Sequence, residues 1–408
     1  MLPLPPATMY LASSFVWGFL FWMMATVSMI YQIEMANLTP LELILVGTAL
    51  EVSAFLFEIP TGLLADTVSR RLSVVVGYFV TGIAFVLAAS FPVFWVIALG
   101  SFIWGIGWTF ISGAHQAWLA DEVGVSEAGT LYLRGQKLSS YGSFLGIGIA
   151  MLLGSYQVNY PYLLAGYLFI AWGCFAWFGM TENNFKPMDT GEVSSFRKMG
   201  KTFSAGMLII RGSPALLLLL GVGVVFGTFS EGYDRLATAH LLRSFEFPSP
   251  YGLEPVVLIG LFTATGSFLS IALVDLVEKK VDVDDSRQIA NVLTVLTILI
   301  LSSVIVFALS GYVWLAITMS ILLMPIRRVV EPLTTAWMNQ HTAADVRATV
   351  LSIHSQSDAL GQMGGGPVVG VLAREFGIRP ALTISAMLLF PAIWLYRRRD
   401  VHIKEQEE

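Results

Sequence analysis

Charged residues are scarce in this sequence. Only 12% of its 408 residues are charged, whereas 56% are hydrophobic. A soluble protein of this length needs about a quarter of its residues charged to cover its surface. Apolar stretches of about twenty residues, enough to cross a bilayer, recur from end to end. The composition therefore excludes a soluble globular protein and predicts a polytopic membrane protein.

Cysteine and the usual metal and nucleotide motifs are also rare or missing. The one cysteine, Cys174, excludes an intramolecular disulfide framework. The five histidines show no zinc-ligand spacing, and "GVGVVFG" (221–227) lies inside an apolar segment, unlike a phosphate-binding loop. The sequence start has no basic region, so its first apolar segment is predicted to be a transmembrane helix rather than a signal peptide. We expect no metal, no cofactor and no ATP hydrolysis by this chain.

The apolar stretches predict an all-α protein of twelve transmembrane helices in two six-helix halves. Stretches of this length without a two-residue alternation exclude barrel strands. The fourth and tenth are over-long and are expected to tilt or to project past the bilayer. The predicted spans are 10–32, 40–64, 72–90, 92–119, 138–157, 161–180, 212–233, 255–277, 289–309, 312–339, 350–373 and 380–396.

Lys and Arg in the short loops predict the orientation of the spans. One side holds 17 of the 23 basic residues, the other side holds Arg235, Arg243, Arg374 and Arg379, and Arg327 and Arg328 lie within a span. This bias predicts that both termini are cytoplasmic, in the plasma membrane of a cell or the inner membrane of a bacterium. The cytoplasmic set is Arg70, Arg71, Arg134, Lys137, Lys186, Arg197, Lys198, Lys201, Arg211, Lys279, Lys280, Arg287, Arg347, Arg397, Arg398, Arg399 and Lys404.

The longest loop, 181–211, separates a predicted N-terminal half (1–180) from a C-terminal half (212–408). Apolar residues recur in it at steps of three and four, with basic residues off that stripe. This pattern favours an amphipathic helix on the inner leaflet, and a plain connector is the alternative. The stripe consists of Phe196, Met199, Phe203, Met207 and Ile210.

Short sequence echoes indicate that the halves are an internal repeat. "GLLADTVSRR" (62–71) ends span two, and "ALVDLVEKK" (272–280) ends span eight with the same acid-to-base spacing. "AWLAD" (117–121) in span four matches "AWMNQ" (336–340) in span ten. Parallel repeats of six spans with a substrate site between them are a transporter architecture.

"GLLADTVSRR" resembles the loop signature of the major facilitator superfamily, Gly-x-x-x-Asp-x-x-x-Arg-(Arg/Lys), in its usual place after span two. "FEIPTGLLAD" (57–66) and "NQHTAADVRATVLS" (339–352) resemble a drug-efflux branch, the drug:proton antiporters. The resemblance implies that the loop residues latch the cytoplasmic ends of the two halves together. Asp66 would then engage Arg134 or the start of span eleven near Thr349. The residues assigned to this latch are Gly62, Asp66, Arg70, Arg71, Arg134, Asp275, Lys279 and Lys280.

Acids deep in the membrane are candidates for proton coupling, because a buried charge costs several kcal/mol unless it is paired, hydrated or protonated. Glu51 lies near the middle of span two, and Glu58 lies seven residues further along the same face. Asp358 lies in span eleven, with His354 one turn before it and within reach. A water-lined polar patch or a structural hydrogen bond is the alternative for these residues, and Glu58 belongs to the "FEIPTG" signature.

Spans ten, one and four carry the candidates for the substrate cavity. In "MPIRRVVEP" (324–332), Arg327 and Glu331 are four residues apart and are expected to pair. Arg328 points elsewhere and needs its own acid, water or an anionic substrate group. Four tryptophans offer flat apolar area for a lipophilic ligand, with helix packing or lipid contact as the alternative: Trp17, Trp22, Trp104 and Trp108.

The sequence therefore predicts a secondary transporter that exports a lipophilic or amphiphilic small molecule in exchange for protons. Uptake or facilitated diffusion of a small metabolite is the alternative within transport, and a polytopic membrane enzyme is the alternative of another class. Ser101 stands where many proton-coupled relatives carry arginine, and "GSFLGIGIAMLLG" (142–154) lacks the Gly-Pro of the antiporter signature. A Gly-Pro stands in "GGGPVVG" (364–370) instead. We expect a monomer that contacts membrane lipid, protons and substrate but no nucleic acid.

Overall fold

A computed structural model describes residues 3–187, 211, 214–282, 285–340, 342 and 347–397 of the chain. This part of the chain is helical and contains no strand, which confirms the predicted fold class. When α4 is joined to α5 and α13 to α14, the helices correspond to the twelve predicted spans. The helices are α1 (Pro6–Ile30), α2 (Pro40–Thr67), α3 (Arg70–Ser90), α4 (Phe94–Ile111), α5 (Ala114–Val123), α6 (Val125–Gly154), α7 (Tyr160–Gly179), α8 (Pro214–Ser244), α9 (Pro255–Lys280), α10 (Ser286–Leu309), α11 (Val313–Gln340), α12 (Arg347–Phe376), α13 (Ile378–Met387) and α14 (Phe390–Arg397).

Length and composition show which helices can cross a bilayer. Eight of the spans in the described part of the chain are long and apolar enough to do so. They include α1 with its π-helical extension Tyr31–Met35, and α4 joined with α5. The others carry more charge, are shorter or are described only in part, so length and hydropathy alone understate how many spans the fold contains.

Local sequence sets where several helices begin. Pro6 opens α1, where its fixed φ suits the first turn and its missing N–H is not needed. The side chain of Ser69 accepts a hydrogen bond from the backbone N–H of Leu72 and caps α3. Asp285 caps α10 in the same way, through two backbone N–H groups of its first turn.

Glycines in the left-handed region mark the breaks between consecutive helices. Gly113 (φ 67°) separates α4 from α5, Gly124 (φ 88°) separates α5 from α6, and Gly377 (φ 93°) separates α12 from α13. Only glycine adopts such angles without steric cost. The over-long fourth span is therefore two helices joined at a sharp turn, rather than a single helix.

Two predicted span boundaries are wrong. Span five was expected to begin at residue 138, but α6 begins at Val125. Span seven was expected to end at residue 233, but α8 continues to Ser244. Hydropathy measures the cost of placing side chains in lipid, whereas a helix continues into water wherever its backbone stays hydrogen-bonded. Both extensions carry charged residues, which made them resemble loops in the sequence.

The predicted amphipathic helix of the 181–211 loop lies outside the described residues, except for its first residues and Arg211. All five residues of its apolar stripe fall in the part that is not described. The helix therefore stays a prediction.

The chain divides into two compact units that share a packing scheme. One unit comprises Met1–Leu38, Val46–Val193 and Ser249–Leu261, and the other comprises Thr39–Leu45, Ser194–Pro248 and Phe262–Glu408. In the first, α1 packs on α6, and α3 packs on α4 and α7. In the second, α8 packs on α12, and α10 packs on α11 and α13. The same spans thus pair in each unit, as a duplicated six-span repeat requires, while the domain boundaries at residues 180 and 212 stay predictions.

Candidate functional site

Charges at the α2–α3 turn form an ion-pair cluster inside the first unit. Arg70 Nη2 lies 3.0 Å from Asp66 Oδ1, and Arg70 Nη1 lies 2.6 Å from Asp121 Oδ2 on α5. The guanidinium also donates to the carbonyl of Ala117, 3.2 Å away, and lies over the ring of Phe185. One arginine therefore binds two acids from two helices, and this contact fixes α5 against the α2–α3 turn.

Arg71, the second arginine of the motif, is held by the end of α7 and by the segment that follows it. The backbone N–H of Arg71 donates to Glu182 Oε1 at 2.9 Å, and the hydroxyl of Ser69 donates to the other carboxylate oxygen at 2.5 Å. The guanidinium of Arg71 donates to the carbonyl of Trp177 and lies over its ring. An acid thus sits at the N-terminus of α3, where the helix dipole favours it.

The acid of the loop motif finds its partner within the motif. We expected Asp66 to engage Arg134 or the start of span eleven near Thr349, whereas the structure pairs it with Arg70. Arg134 is exposed on α6, and the side chain of Thr349 lies outside the described part of the chain. The proposed latch between the two halves therefore stays a prediction.

The corresponding residues of the second unit are solvent- or lipid-exposed. Asp275, Lys279 and Lys280 lie exposed in the last turns of α9 and form no ion pair with a described residue. Gly62 is also exposed, and a Cβ there would have no atom within 4 Å. The sequence echo of the loop motif is thus not matched by an equal cluster of described side chains.

The two candidate acids of α2 differ in exposure. Glu51 is half-buried, next to a close contact with α4: a Cβ on Gly105 would lie 2.6 Å from the carbonyl oxygen of Leu50. Glu58 is exposed, two turns further along α2. The sequence placed both acids on one face, and of the two only Glu51 lies in a packed environment.

The four predicted tryptophans come together in one aromatic cluster, linked by Phe21. Trp17 and Trp108 have ring centroids 5.2 Å apart, and Trp17 and Phe21 stack at 6.2 Å. Phe21 also contacts Trp22 at 5.9 Å and Trp104 at 6.0 Å. α1 and α4 therefore present a continuous aromatic surface in the first unit.

Part of this aromatic surface remains accessible. The fully buried rings of Phe85 and Phe169 support it from behind. Trp108 is 43% exposed, whereas the indole N–H of Trp104 is buried and has no hydrogen-bond partner among the described residues. The cluster therefore offers flat apolar area, mainly at Trp108.

The second unit holds a charged cluster whose central contact joins α8 to α11. The guanidinium of Arg327 binds both carboxylate oxygens of Asp234, with Nη2 2.8 Å from Oδ2. The same guanidinium lies over the rings of Phe229 and Tyr233, at 5.7 and 5.5 Å. The hydroxyl of Tyr233 in turn bonds the hydroxyl of Ser320 on α11. We expected Arg327 to pair with its neighbour on α11, so that part of the prediction is wrong.

Asp358 on α12 takes its hydrogen bond from an amide. Gln362 Nε2 donates to Asp358 Oδ2 at 2.7 Å. The sequence led us to expect His354 as the partner, but the ring of His354 is directed toward Gly223 of α8. The hydrogen-bond donor to Asp358 therefore lies one helical turn after it in α12, and not one turn before it as expected.

Acids outnumber bases around Asp358. The charges of Arg327, Glu331 and Asp234 act on Asp358, and Glu231 lies within reach of both aspartates. Glu331 is exposed and is not the ion-pair partner of Arg327. The cluster therefore contains more carboxylates than guanidinium groups can neutralise.

A second ion pair of this cluster lies within α8. Arg235 Nε lies 3.1 Å from Glu231 Oε1, and the glutamate side chain is only 3% exposed. Arg328, the other arginine of span ten, is exposed on a different side of α11. The two predicted arginines thus have different surroundings, and only Arg327 belongs to the charged cluster.

The sequence of this chain matches a known protein family. The profile of the Major Facilitator Superfamily matches residues 7–355, most of the chain. The chain belongs to the Major Facilitator Superfamily. It is therefore a transporter by family, in a polytopic membrane fold. Neither the drug-efflux branch nor its coupling to protons follows from this match.

Relatives of this superfamily protein span nearly its whole length. The "uncharacterized MFS-type transporter YxaM" of Bacillus subtilis (strain 168) is 22% identical over 363 residues, covering 87% of this chain and 86% of the relative. The nucleoside transporter NupG has a similar fold, with a TM-score of 0.75, 11% identity and coverage of 96% and 98%. A bacterial homolog of the human lysosomal transporter Spinster, inward-facing and unoccupied, gives 0.73 at 14% identity, covering 96% of each chain. At these identities the solved structures show the fold alone.

Sequence reasoning missed several residues of the charged cluster in this superfamily member. Asp234 and Arg235 were assigned to a loop because span seven was ended at residue 233. Glu231 and Gln362 lay within predicted spans but were not singled out. The signal that could have found them is "SEGYDR" (230–235), three charges within one and a half turns directly after a long apolar run.

Proposed function

We propose that this chain is a proton-coupled secondary transporter that exports a lipophilic or amphiphilic small molecule by alternating access. The observation that carries the proposal is the excess of acids around Asp358. Glu331, Asp234 and Glu231 each lie within electrostatic reach of Asp358, and Arg327 and Arg235 neutralise only part of the charge of these four acids.

An excess of carboxylates within a membrane-spanning fold must be neutralised. Each unpaired charge away from bulk water costs several kcal/mol, so the cluster is stabilised by binding a proton or a cationic group. Binding of one then weakens binding of the other. This competition is what the exchange of a cargo for protons requires.

The aromatic cluster of α1 and α4 supports the lipophilic part of the proposal. Indole rings provide large rigid apolar contact areas, and Trp108 exposes nearly half of its surface. Trp17 and Trp104 lie on the same surface. A ligand with an apolar body therefore has a place to bind in the first unit, as a multidrug exporter would need.

We further propose that the chain works as a monomer in the plasma membrane, or the inner membrane in a bacterium, with both termini in the cytoplasm. Superfamily membership supports transport over the alternative of a membrane enzyme. A membrane enzyme would need a cluster of available polar residues at one membrane face, whereas Asp121, at the end of α5, is bound to Arg70. Glu122 accepts hydrogen bonds from the backbone N–H groups of two residues after α7.

Uptake or facilitated diffusion of a small metabolite is the second candidate. The observation in its favour is α6, which lacks the Gly-Pro pair of the antiporter signature and runs unbroken from Val125 to Gly154. A Gly-Pro pair lies instead in α12, at Pro367. Proton movement opposite to the cargo supports export, and movement with the cargo supports uptake.

Transport in proteoliposomes with an imposed pH gradient tests the proposal. A panel of lipophilic and amphiphilic dyes and drugs is screened for movement against its own gradient, while an internal pH dye records proton flux. We expect at least one compound to move uphill in exchange for protons. If none moves uphill when the pH difference is applied, the proposal fails.

Single neutral substitutions then identify the coupling residue. We expect Asp358→Asn to abolish uphill transport. It should preserve the exchange of cargo on one side of the membrane for cargo on the other, because that exchange needs no net proton movement. Glu51→Gln tests the predicted site in α2 in the same way. Glu127→Gln removes an exposed acid at the start of α6 as the matched control and should leave uphill transport unchanged. Retention of uphill transport by both variants would exclude both acids from coupling.

A further inference from the structure

Asp234 and Arg327 have the geometry of a binding site in which the acid and the base bind each other. We propose that the cargo is dipolar: it carries a carboxylate that binds Arg327 and a cationic group that binds Asp234, and it enters by separating this ion pair. The proposal rests on the proposed transport function and names the class of its cargo.

Exposure distinguishes this pair from the other ion pair of α8. The side chains of Arg327 and Asp234 are 27% and 50% exposed, whereas those of Arg235 and Glu231 are 19% and 3% exposed. A ligand can therefore reach the first pair without unfolding anything. The second pair is closed.

Connectivity distinguishes the two pairs as well. Glu231 and Arg235 are four residues apart on one helix, so only a change in their own side-chain conformations can separate them. Asp234 and Arg327 lie on α8 and α11, so a small shift between two helices opens them. The exposed pair, Asp234 and Arg327, is therefore the one whose separation a movement of helices can change.

Arg327 is held in place independently of Asp234. Its guanidinium lies against the rings of Phe229 and Tyr233, and Phe229 is fully buried. Stacking on aromatic rings stabilises a guanidinium and fixes its plane. The fork of N–H groups that now binds the Asp234 carboxylate would therefore keep its position and bind another carboxylate in the same bidentate way.

The charge balance favours a cargo with both signs. An anion alone would bind Arg327 but leave Asp234 unpaired, beside the carboxylates of Asp358 and Glu331. Like charges without a counter-charge between them repel one another, so separation of the pair by an anion alone is unfavourable. A dipolar cargo supplies a partner for each residue, so neither charge is left without one.

The same arrangement links the cargo to protons. The cationic group of the cargo would enter the region where Asp234, Asp358 and Glu331 are in excess. A proton on these acids reduces their attraction for that group. A dipolar cargo is therefore compatible with exchange for protons even though it carries no net charge.

Binding of four matched compounds tests the inference. The probes are biphenylalanine, its N-acetyl derivative, its methyl ester and its N-acetyl methyl ester, titrated calorimetrically into the purified full chain at about pH 6, where carboxylate and amine are both charged. They share one apolar body and carry both charges, the anion only, the cation only, and neither. We expect the free amino acid to bind at least about tenfold more tightly than each of the other three, because each of those lacks at least one charge-assisted hydrogen bond to the pair.

Substitution of the pair should remove this discrimination. Asp234→Asn should abolish the preference for the free amine, and Arg327→Gln the preference for the free carboxylate. Because each single change leaves a charge unpaired, the decisive variant is the double one, D234N with R327Q, which neutralises both side chains at nearly unchanged size. We expect it to bind all four compounds with similar affinity.

Arg374 and Glu375 supply the matched control. They form an exposed pair on the same unit, about 24 Å along α12 from Asp358 at 1.5 Å per residue. The double change R374Q with E375Q also removes one charge of each sign, and it should leave the affinity ratios as they are.

Three results would overturn the inference: the ester or the N-acetyl acid binding as tightly as the free amino acid, the pair variant keeping the discrimination, or no binding of the free amino acid. In any of these cases, uphill transport of another compound in the pH-gradient assay would leave the proposed transport function standing.

Discussion

Asp358 is held between one hydrogen-bond donor and several like charges. The amide of Gln362 donates to the carboxylate and stabilises its ionised form, and the positive charge of Arg327 acts in the same direction. Glu331 and Asp234 act in the opposite direction, because like charges disfavour a second ionised acid. The pH at which Asp358 binds a proton depends on this balance, so a single donor can adjust it.

Removal of the donor should shift the pH profile of transport. In Gln362→Leu the carboxylate of Asp358 loses its charge-assisted hydrogen bond. We expect the midpoint of proton-coupled transport to shift by about one pH unit, the equivalent of about 1.4 kcal/mol. Transport rates measured across a pH series in proteoliposomes give the midpoint.

The control for this experiment is Gln136→Leu, which makes the same change at an exposed position of α6. Its midpoint should match that of the unchanged protein. An unchanged midpoint in Gln362→Leu, together with loss of uphill transport in Asp358→Asn, would show that Gln362 does not adjust the coupling site.

Sequence alone could identify individual charges of this cluster but not their partners. Asp358, Arg327 and Glu331 stand out because a charge inside an apolar run is costly and needs a reason. The pairing of Arg327 depends on which helix packs beside α11, and the spacing of residues along one chain does not contain that information. Spacing favoured Glu331, four residues away, and the fold supplied Asp234 from α8.

At the scale of helices, α8 and α12 approach each other unusually closely beside the charged cluster. A Cβ on Gly227 would lie 2.0 Å from the carbonyl oxygen of Asp358, and one on Gly361 would lie 2.1 Å from that of Val224. The hydroxyl of Thr228 donates to the carbonyl of Gly361 across the same contact. Backbone contact of this kind fixes the position of Asp358 relative to α8, and it requires small residues on both helices.

Two neighbouring glycines of α12 should respond differently to one added methyl group. Gly361→Ala introduces a clash with the α8 backbone, and we expect a loss of about 1–3 kcal/mol in stability together with reduced transport. At Gly364 a Cβ meets no atom within 4 Å. Gly364→Ala should be neutral or slightly stabilising, because alanine favours the helix.

Thermal unfolding of the purified variants in detergent measures both effects. Equal melting temperatures for the two variants would contradict the close contact between α8 and α12.

Hydropathy predicted the helices better than it predicted their ends. The cores of the twelve spans were placed correctly, since lipid imposes about twenty apolar residues on each. The ends of α6 and α8 extend beyond the apolar core, by residues such as Arg134 and Asp234 that resemble a loop in composition. The misplaced end of span seven is the reason that Asp234 and Arg235 were missed.

At the scale of the molecule, the two units repeat one packing scheme but not one set of side chains. The first unit carries the aromatic surface and the Arg70 ion pairs. The second unit carries the charged cluster around Arg327. A duplicated frame has therefore been given two different chemistries.

The distribution of Lys and Arg predicts that both termini are cytoplasmic. A green fluorescent protein fused to the C-terminus should fluoresce in a bacterial host, and alkaline phosphatase fused at the same place should be inactive. A fusion placed after Tyr251, in the predicted external loop between α8 and α9, should show the opposite pattern. Active phosphatase at the C-terminus would contradict the predicted orientation.

The turn between α4 and α5 gives the fourth span two mechanical parts. Arg70 clamps α5 through Asp121, whereas Trp104 and Trp108 lie on α4, which packs on α3. Ser112 and Gly113 join the two helices, and Gly113 has a positive φ. Each part of the span is therefore held by its own neighbours, and a side chain at position 113 would strain the junction between them, because a positive φ favours glycine.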